Sequence, residues 1–432
     1  MARKSKIQDA NPFYSLLRYP VDFAARTSYR RFEVHGRKNL PKDGALIFGI
    51  NHTNTLMDAL VVLATSRHKK VFMARGDIFA NPVVAKILRF LRILPLFRIR
   101  NGVAAVRNNT DSLEQAVDVV HDQVGLYLFP EGRHRTRHSL LQLSKGIFHI
   151  ALDSNKEFGK EKPIYIVPVG IEYGDYFRYR STCMVNFGEA INVTDFIKNS
   201  IEENEAVLMN QLRVMLSERI SQLITYIPDD EDYEPTWEIV KMKNEKRSGG
   251  LYRKMLRNRA TVERVGQYKE SHPEDAKELF AKVMRFAEHR VQNKISVTST
   301  AKKRPLLNSF WKFLVALLGF PYFVASTVVN AVVWIPTLII KSKLKDPAFG
   351  NTVTFGGKLL VFPLVFIAGV IVMFCNLPWY WALAGTLALT YSYDFWYDYH
   401  ELCRRMVSDF RWALKTKLRK EYKELGLNTL FS

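Results

Sequence analysis

The sequence predicts an α/β domain with a mostly parallel sheet, followed by a charged helical spacer and a C-terminal α-helical membrane region. Short apolar runs alternate with helical patterns over the first half of the chain. An acidic break follows at residues 229–235, and long uncharged runs fill the last third. We therefore divide the chain into interfacial amphipathic helices at 1–31, the α/β domain at 32–228, the spacer at 229–305, and membrane hairpins with a basic C-terminal helix at 306–432.

The α/β prediction rests on apolar runs bounded by turn residues. Strands are predicted near residues 31–35, 45–50, 71–74, 125–129 and 164–167, with helices after Asp58 and near 81–91, 111–121 and 145–152. In such a layered domain the carboxyl ends of neighbouring strands meet at one edge, where sites gather. Side chains directly after these strands are therefore the candidates for chemistry.

The first residues predict contact with a bilayer surface. Residues 11–32 interleave aromatic and aliphatic side chains with arginines, and Pro20 interrupts the helical pattern. One or two short helices lying at the membrane interface fit this pattern, and so does ordinary packing against the domain. The N-terminus lacks an apolar core segment, so no cleaved signal peptide is expected.

The excess of positive charge predicts an acidic partner. The 63 Lys and Arg residues against 42 Asp and Glu give a net charge of +21, which suits nucleic acid, an anionic phospholipid membrane or phosphorylated substrates. No zinc-ligand spacing or RNA-binding aromatic motif is present, so we expect no nucleic-acid partner. The three cysteines are far apart, which predicts neither a zinc site nor a disulfide framework and favours a reducing compartment.

His52 and Asp58 flank a predicted strand-to-helix connection after the apolar run 45–50. A histidine within reach of a carboxylate makes a general base, because the carboxylate fixes the imidazole tautomer and stabilises the imidazolium. The alternative is structural: His52 would cap a helix or bond a turn, and Asp58 would be a solvated helix residue.

Four short blocks follow one another along residues 32–190: Asn51-His52 with Asp58, Pro95-Leu96-Phe97-Arg98, Phe129-Pro130-Glu131-Gly132, and Val167-Pro168. Together they resemble the signature of the glycerolipid acyltransferase family. The resemblance implies that residues 32–228 are an acyltransferase domain in phospholipid biosynthesis. It implies transfer of a fatty acyl group from acyl-CoA or an acyl-carrier protein to a hydroxyl of glycerol 3-phosphate or lysophosphatidate, with no bound cofactor and no metal.

The resemblance also implies roles for individual residues. His52 would deprotonate the acceptor hydroxyl and Asp58 would orient it; no nucleophilic Ser or Cys stands beside His52. The acceptor phosphate would be bound by cations, for which the candidates are Arg98, Arg100, Arg133, Arg135 and Lys145.

The remaining assignments concern the walls and the backbone of the implied site. Glu131 would bind an acceptor hydroxyl or organise the arginines, and Gly132 would let backbone approach closely. Val167 and Pro168 would shape a wall. Backbone donors near the first block would hold the thioester oxyanion.

Two departures from the family pattern bear on these assignments. Five residues separate His52 from Asp58 where four are commoner. The longer spacing resembles the subgroup, typified by fungal enzymes, that acts on glycerol 3-phosphate or dihydroxyacetone phosphate, and it requires one extra loop residue. Arg133-His134-Arg135-Thr136 replaces the usual Thr-Arg-Ser run.

The last third of the chain predicts membrane hairpins. Residues 313–340 and 359–393 carry no charged side chain, and basic residues flank both runs. Hairpins that return to one face satisfy the positive-inside tendency and place the catalytic domain on the cytoplasmic face. The second run fits two helices turning at Pro378; the first fits a re-entrant segment or one long tilted helix. A buried globular core is the alternative.

Two other functions fit these observations. One is acyl transfer to another lyso-lipid. The other is a catalytically silent, membrane-associated lipid-binding protein, against which the intact His52, Asp58 and Glu131 speak.

Overall fold

The computed structural model describes residues 6–96, 103–245 and 249–431, without the side chains of residues 103–110 and 428. The chain forms two compact units. The first contains Met1–Tyr176 and Ser181–Ile224, and the second contains Phe177–Arg180 and Thr225–Ser432.

The first unit is built on one eight-stranded sheet. Its strands are β1 Arg31–His35, β2 Ala45–Ile50, β3 Lys70–Arg75, β4 Ile93–Leu96, β5 Gly125–Leu128, β6 Ile164–Tyr173, β7 Thr182–Phe187 and β8 Ile191–Asn192. The spatial order is β1-β7-β6-β2-β5-β3-β4, with β8 beside β6. All pairs are parallel except β6 with β7 and β6 with β8. The predicted α/β fold with a mostly parallel sheet is confirmed.

Strand β6 continues past Pro168 to Tyr173, whereas the apolar run predicted an end near Val167. Proline is rare inside a sheet because it lacks a backbone donor. Pro168 lies between the part of β6 that pairs with β8 and the part that pairs with β7. The extension matters because it carries Tyr173 to the edge of the sheet where β2 ends.

Helices cover the sheet of the first unit: α1 Pro12–Thr27, α2 Thr55–Leu63, α3 Pro82–Phe90, α4 Val103–His121, α5 Gly146–Phe158, α6 Val193–Lys198 and α7 Glu205–Gln222. Short 3₁₀ turns occupy Arg37–Asn39 and Gly76–Ala80. Pro20 lies inside α1 without ending it. One face of α1 exposes Phe13, Leu16 and Phe23, the apolar face that its sequence predicts.

The second unit contains α8 Tyr233–Asn244, α9 Leu251–Ser271, α10 Pro273–Gln292 and α11 Val297–Thr300, then α12 Pro305–Val329 and α13 Ala331–Ser342. A 3₁₀ turn at Pro347–Phe349 leads into α14 Gly350–Gly356, a π-helical segment Gly357–Val361 and α15 Phe362–Asn376. The last helices are α16 Trp379–Leu414, α17 Thr416–Glu424 and α18 Leu427–Leu430.

The segment predicted as a spacer has a hydrophobic core, which it shares with the C-terminal helices. Ile239, Val283 and Phe286 cluster there with Trp412 and Phe431. These helices bury their apolar stripes against one another because each is amphipathic.

Within the described parts of the chain, two continuous helical segments are long and apolar enough to cross a membrane: Pro305–Val329 and Pro347–Asn376. In their most apolar windows only 11% and 0% of the residues are buried. The second hairpin turns where predicted, since α15 ends at Asn376 and α16 begins after Pro378. The first run is divided at Asn330 into α12 and α13.

Candidate active site

The candidate site lies at the carboxyl ends of two neighbouring strands. β2 and β5 pair in parallel, with Gly49 opposite Leu128. The residues that follow these strands, Asn51-His52 and Phe129-Pro130-Glu131, therefore emerge at the same edge of the sheet. This register brings His52 and Glu131 together although 79 positions separate them.

His52 and Asp58 form a hydrogen-bonded pair. His52 Nδ1 lies 2.8 Å from Asp58 Oδ2. With the Nδ1 proton donated to the carboxylate, Nε2 is the nitrogen left to accept a proton. The His52 side chain is 18% exposed and stacks on Phe129 at 4.5 Å between ring centroids. The pair has the arrangement of an oriented general base.

Asp58 is fully buried and is held by neutral donors. Its Oδ2 also accepts the backbone N–H groups of Thr53 and Asn54, each at 2.7 Å. Its Oδ1 accepts the Tyr173 hydroxyl at 2.7 Å. Burial, and then the Asp58 carboxylate, raise the pKa of Tyr173, so this phenol stays protonated and donates. Among the described residues, no Lys or Arg side chain pairs with Asp58.

Glu131 ties the two loops of the site together. Its Oε1 accepts the backbone N–H of His52 at 2.7 Å, and its Oε2 accepts that of Leu141 at 2.9 Å. Burial raises the pKa of Glu131, and the two backbone donors oppose that rise. Both oxygens are used to position backbone, so the role of Glu131 towards an acceptor hydroxyl or the arginines stays a prediction.

The backbone of both loops turns through left-handed conformations. Thr55 has φ +48°, which is costly for a β-branched residue, and it lies within the five-residue spacing between His52 and Asp58. Gly132 has φ +67°, where glycine carries no side-chain penalty.

Comparison with known proteins finds a family match for part of the first unit. Residues 31–172 match the model of the Acyltransferase family. They form an acyltransferase-family domain. The family predicted from the four blocks is thereby confirmed for this stretch, and the match supports an O-acyltransferase.

Other comparisons add less. No curated protein matches the sequence significantly. The crystal structure of the 1-acyl-sn-glycerophosphate (LPA) acyltransferase PlsC from Thermotoga maritima is similar at 22% identity with a TM-score of 0.35. The matched region covers 48% of this chain and 77% of that one.

The five predicted phosphate-binding cations differ in their surroundings. Arg135 follows the strand-end loop, where its backbone N–H donates to the His52 carbonyl at 3.0 Å and its guanidinium donates to Ser139. Arg133 is exposed in the same loop, and Lys145 is exposed at the start of α5. Arg98 and Arg100 lie outside the described residues. Phosphate binding by any of these five remains a prediction.

Val167 and Pro168 lie inside the sheet, opposite Phe48 and Gly49 of β2. That position is short of the strand end that carries His52, and a role as a site wall stays a prediction. Among the residues that the structure describes, no group of three or more His, Cys, Asp or Glu side chains could hold a metal ion.

Two residues that shape the site received no role in the sequence analysis. Asn51 bonds both backbone groups of Ile171, accepting from its N–H at 2.7 Å and donating to its carbonyl at 3.0 Å. It thereby extends the pairing of β2 with β6 to the residue before His52. Tyr173 gave no local signal because 115 positions separate it from Asp58.

Two basic side chains donate hydrogen bonds at the C-terminal end of α2, the helix that carries Asp58. Arg18 and Lys70 donate to the carbonyls of Leu63 and Ser66. The helix C-terminus favours positive charge, which partly offsets the cost of burying these two side chains. Burial, with smaller effects from nearby arginines, lowers the pKa of Lys70 to about 7.

Proposed function

We propose that this protein is a membrane-bound acyltransferase that acts on glycerol 3-phosphate or 1-acylglycerol 3-phosphate. The observation that carries the proposal is the His52–Asp58 pair at the strand edge of an acyltransferase-family domain. An acyl thioester, from acyl-CoA or an acyl-carrier protein, is the donor.

In the proposed reaction, His52 Nε2 takes the proton of the acceptor hydroxyl while the oxygen attacks the thioester carbonyl. The tetrahedral intermediate collapses by breaking the carbon–sulfur bond. The imidazolium then returns the proton to the leaving thiolate, so that an ester and a free thiol are formed. Asp58 stabilises the imidazolium in both halves of the reaction.

Membrane binding is supported by the exposed apolar surface of the second unit. The segments Pro305–Val329 and Pro347–Asn376 bury almost none of their apolar side chains within the protein. So much exposed apolar surface is unfavourable in water and favourable in a bilayer. The basic residues Lys302, Lys303 and Arg304 before α12 favour a cytoplasmic position for that end. We propose the cytoplasmic face for the acyltransferase domain as well.

The test is acyl transfer by the purified full-length protein in phosphatidylcholine vesicles. Palmitoyl-CoA and a palmitoylated carrier protein would each be offered with glycerol 3-phosphate, with lysophosphatidate and with another lysophospholipid. His52→Ala should lower the rate by about 10²–10⁴-fold, the usual contribution of a general base. The matched control is His121→Ala, at an exposed histidine that also lies beside an aspartate.

The acceptor that supports transfer identifies the substrate. Transfer only to another lyso-lipid would keep the reaction and change its acceptor. A folded protein that transfers nothing from either donor would contradict the enzyme and favour a silent lipid-binding protein. Equal activity of His52→Ala and wild type would contradict the base.

A further inference from the structure

The second unit contains a cavity of about 460 Å³ next to the segment that leads into α12. Four cationic side chains line it: Lys302, Lys303, Arg419 and Lys423. Its lining also includes the aromatic rings of Trp412 and Tyr422. We call this cavity the basic pocket.

The four cations have no acidic partner among the described residues. None has a carboxylate oxygen within 4.0 Å, and no acidic side chain lines the pocket. The acidic residues of α17 nearby are engaged elsewhere, since Glu421 pairs with His289 and Glu424 lies near Lys420. Like charges gathered around one cavity repel each other, so an anion that enters is strongly favoured.

The aromatic wall gives the pocket a defined shape. The rings of Trp412 and Tyr422 lie 5.9 Å apart and nearly perpendicular, at 85°. Trp412 is buried in the core of the unit, so this wall is fixed by packing. The volume lies within the range of small-molecule sites and exceeds what a single phosphate ion fills. Guanidinium and ammonium groups are the usual partners of phosphate oxygens.

The place of the pocket in the chain indicates the source of the anion. Lys302 and Lys303 come directly before α12, which begins at Pro305 and is the first apolar segment long enough to span a bilayer. Basic clusters at the interfacial end of a spanning helix meet the phosphate groups of lipids there. We propose that the basic pocket binds the phosphate headgroup of an anionic phospholipid. The proposal uses the membrane position of α12 proposed above, but not the acyl transfer.

The test measures lipid binding without an acyl donor. The full-length protein in neutral detergent would be titrated with dioctanoyl phosphatidate, with bound lipids counted by native mass spectrometry. The pocket variant combines Lys302→Gln, Lys303→Gln, Arg419→Gln and Lys423→Gln. The matched control combines Lys343→Gln, Lys345→Gln, Lys415→Gln and Lys417→Gln, which removes the same charge from outside the pocket.

We expect the pocket variant to retain one lipid fewer than wild type, with at least tenfold weaker binding at that site. The control should retain the wild-type number, with less than a threefold change. Equal binding by all three proteins would overturn the proposal, as would equal loss in both variants, which would indicate general charge attraction. If the fourfold pocket variant does not fold, Lys303→Glu with Lys423→Glu, both exposed, replaces it and should lose the same lipid.

A competition arm separates lipid from free phosphate. Inorganic phosphate at the concentration of the lipid should leave the lipid bound. Displacement by inorganic phosphate would assign the pocket to a free phosphate and overturn the lipid assignment. Since neither variant alters His52 or Asp58, a failed acyl-transfer assay would leave this result unaffected.

Discussion

Two buried aspartates, one in each unit, are held in opposite ways. Asp58 accepts hydrogen bonds from two backbone N–H groups, a phenol and an imidazole. Asp394 accepts the Lys358 ammonium at 2.8 and 2.7 Å and the Tyr179 hydroxyl at 3.0 Å, and Arg180 lies 3.8 Å away. The first carboxylate is solvated by dipoles, whereas the second is neutralised by cations.

This difference matters for function. The Asp58 carboxylate can stabilise a positive charge that forms on a neighbour, whereas the Asp394 carboxylate has a structural role in an ion pair. A carboxylate that is held by dipoles is not neutralised, so its negative charge can stabilise the imidazolium that forms when His52 takes a proton. A charge that is already paired gains little from another proton, and breaking the pair leaves a buried cation alone. Lys70 resembles Asp58 in this respect. It is a buried charged group whose hydrogen-bond partners, the oxygens of Leu63 and Ser66, are neutral.

Removing the charge of each aspartate gives the largest contrast. Asp58→Asn keeps an oxygen for Thr53, Asn54 and His52, so we expect the fold to persist while kcat falls about 10⁴-fold. Asp394→Asn should leave kcat/KM unchanged and lower the free energy of unfolding by about 3 kcal/mol, because Lys358 stays buried and unpaired. Rates and thermal unfolding in detergent measure both effects. Loss of activity in both variants, or of stability in both, would break the contrast.

The second prediction concerns pH and Lys70. In the unfolded chain its pKa is near 10.5, and in the folded protein it is about 7. Between these values the unfolded chain binds more protons, so the free energy of unfolding rises with pH. This contribution is complete above pH 10.5 and is lost as the pH falls through about 7. It amounts to several kcal/mol, since each pKa unit corresponds to about 1.4 kcal/mol.

Lys70→Met isolates that contribution. Thermal unfolding of both proteins between pH 7 and 10.5 should show wild type gaining stability relative to the variant as the pH rises. A constant difference would mean that the buried ammonium does not titrate in this range.

The third prediction compares the two tyrosines that donate to these carboxylates. Tyr173→Phe removes a neutral donor from Asp58, and we expect kcat to fall about tenfold with KM little changed, because the carboxylate is less firmly held. Tyr179→Phe removes the equivalent donor from Asp394 and should leave kcat unchanged. Steady-state kinetics of both variants at matched folded fractions decide this. An unchanged kcat in Tyr173→Phe would limit that tyrosine to packing.

The smallest effect concerns the turn that presents backbone donors to Asp58. Thr55 has φ +48°, a conformation that costs about 1–2 kcal/mol for a residue with a Cβ atom. Thr55→Gly and Thr55→Ala both remove the hydroxyl and methyl groups of Thr55, but only glycine also removes the Cβ atom and relieves the strain. The glycine variant should therefore be more stable by about 1 kcal/mol in denaturant unfolding. Equal stability would mean that Thr55 is not strained.

Features of the fold and of the site that depend on residues close together in sequence were predicted, whereas contacts between residues far apart in sequence were not. The motif at His52 and Asp58 is local, and the strand before it is an apolar run, so both were visible in the sequence. The ties from Glu131 and Tyr173 depend on which strands become neighbours, which periodicity does not specify. The continuation of β6 past Pro168 was missed because proline normally ends a strand, and sheet pairing on both sides of it was not foreseeable.

The shared core of the second unit was missed for a similar reason. Residues 236–305 are charged on one face, which predicted a spacer, but their apolar face packs on helices more than a hundred residues away. Solvent-facing charge was visible in the sequence, whereas the partner of the opposite face was not.

The position of β2 in the sheet has a consequence for biosynthesis. β2 is flanked by β5 and β6, so its loop gains Glu131 and Tyr173 only after those later strands have been synthesised and docked. Parallel pairings between distant segments form slowly, because long loops must close first. A nascent chain that ends before Glu131 thus contains His52 and Asp58 without Glu131 and Tyr173, and one that ends before Tyr173 still lacks the phenol that donates to Asp58. We expect catalytic competence to arise late, after the sheet is complete.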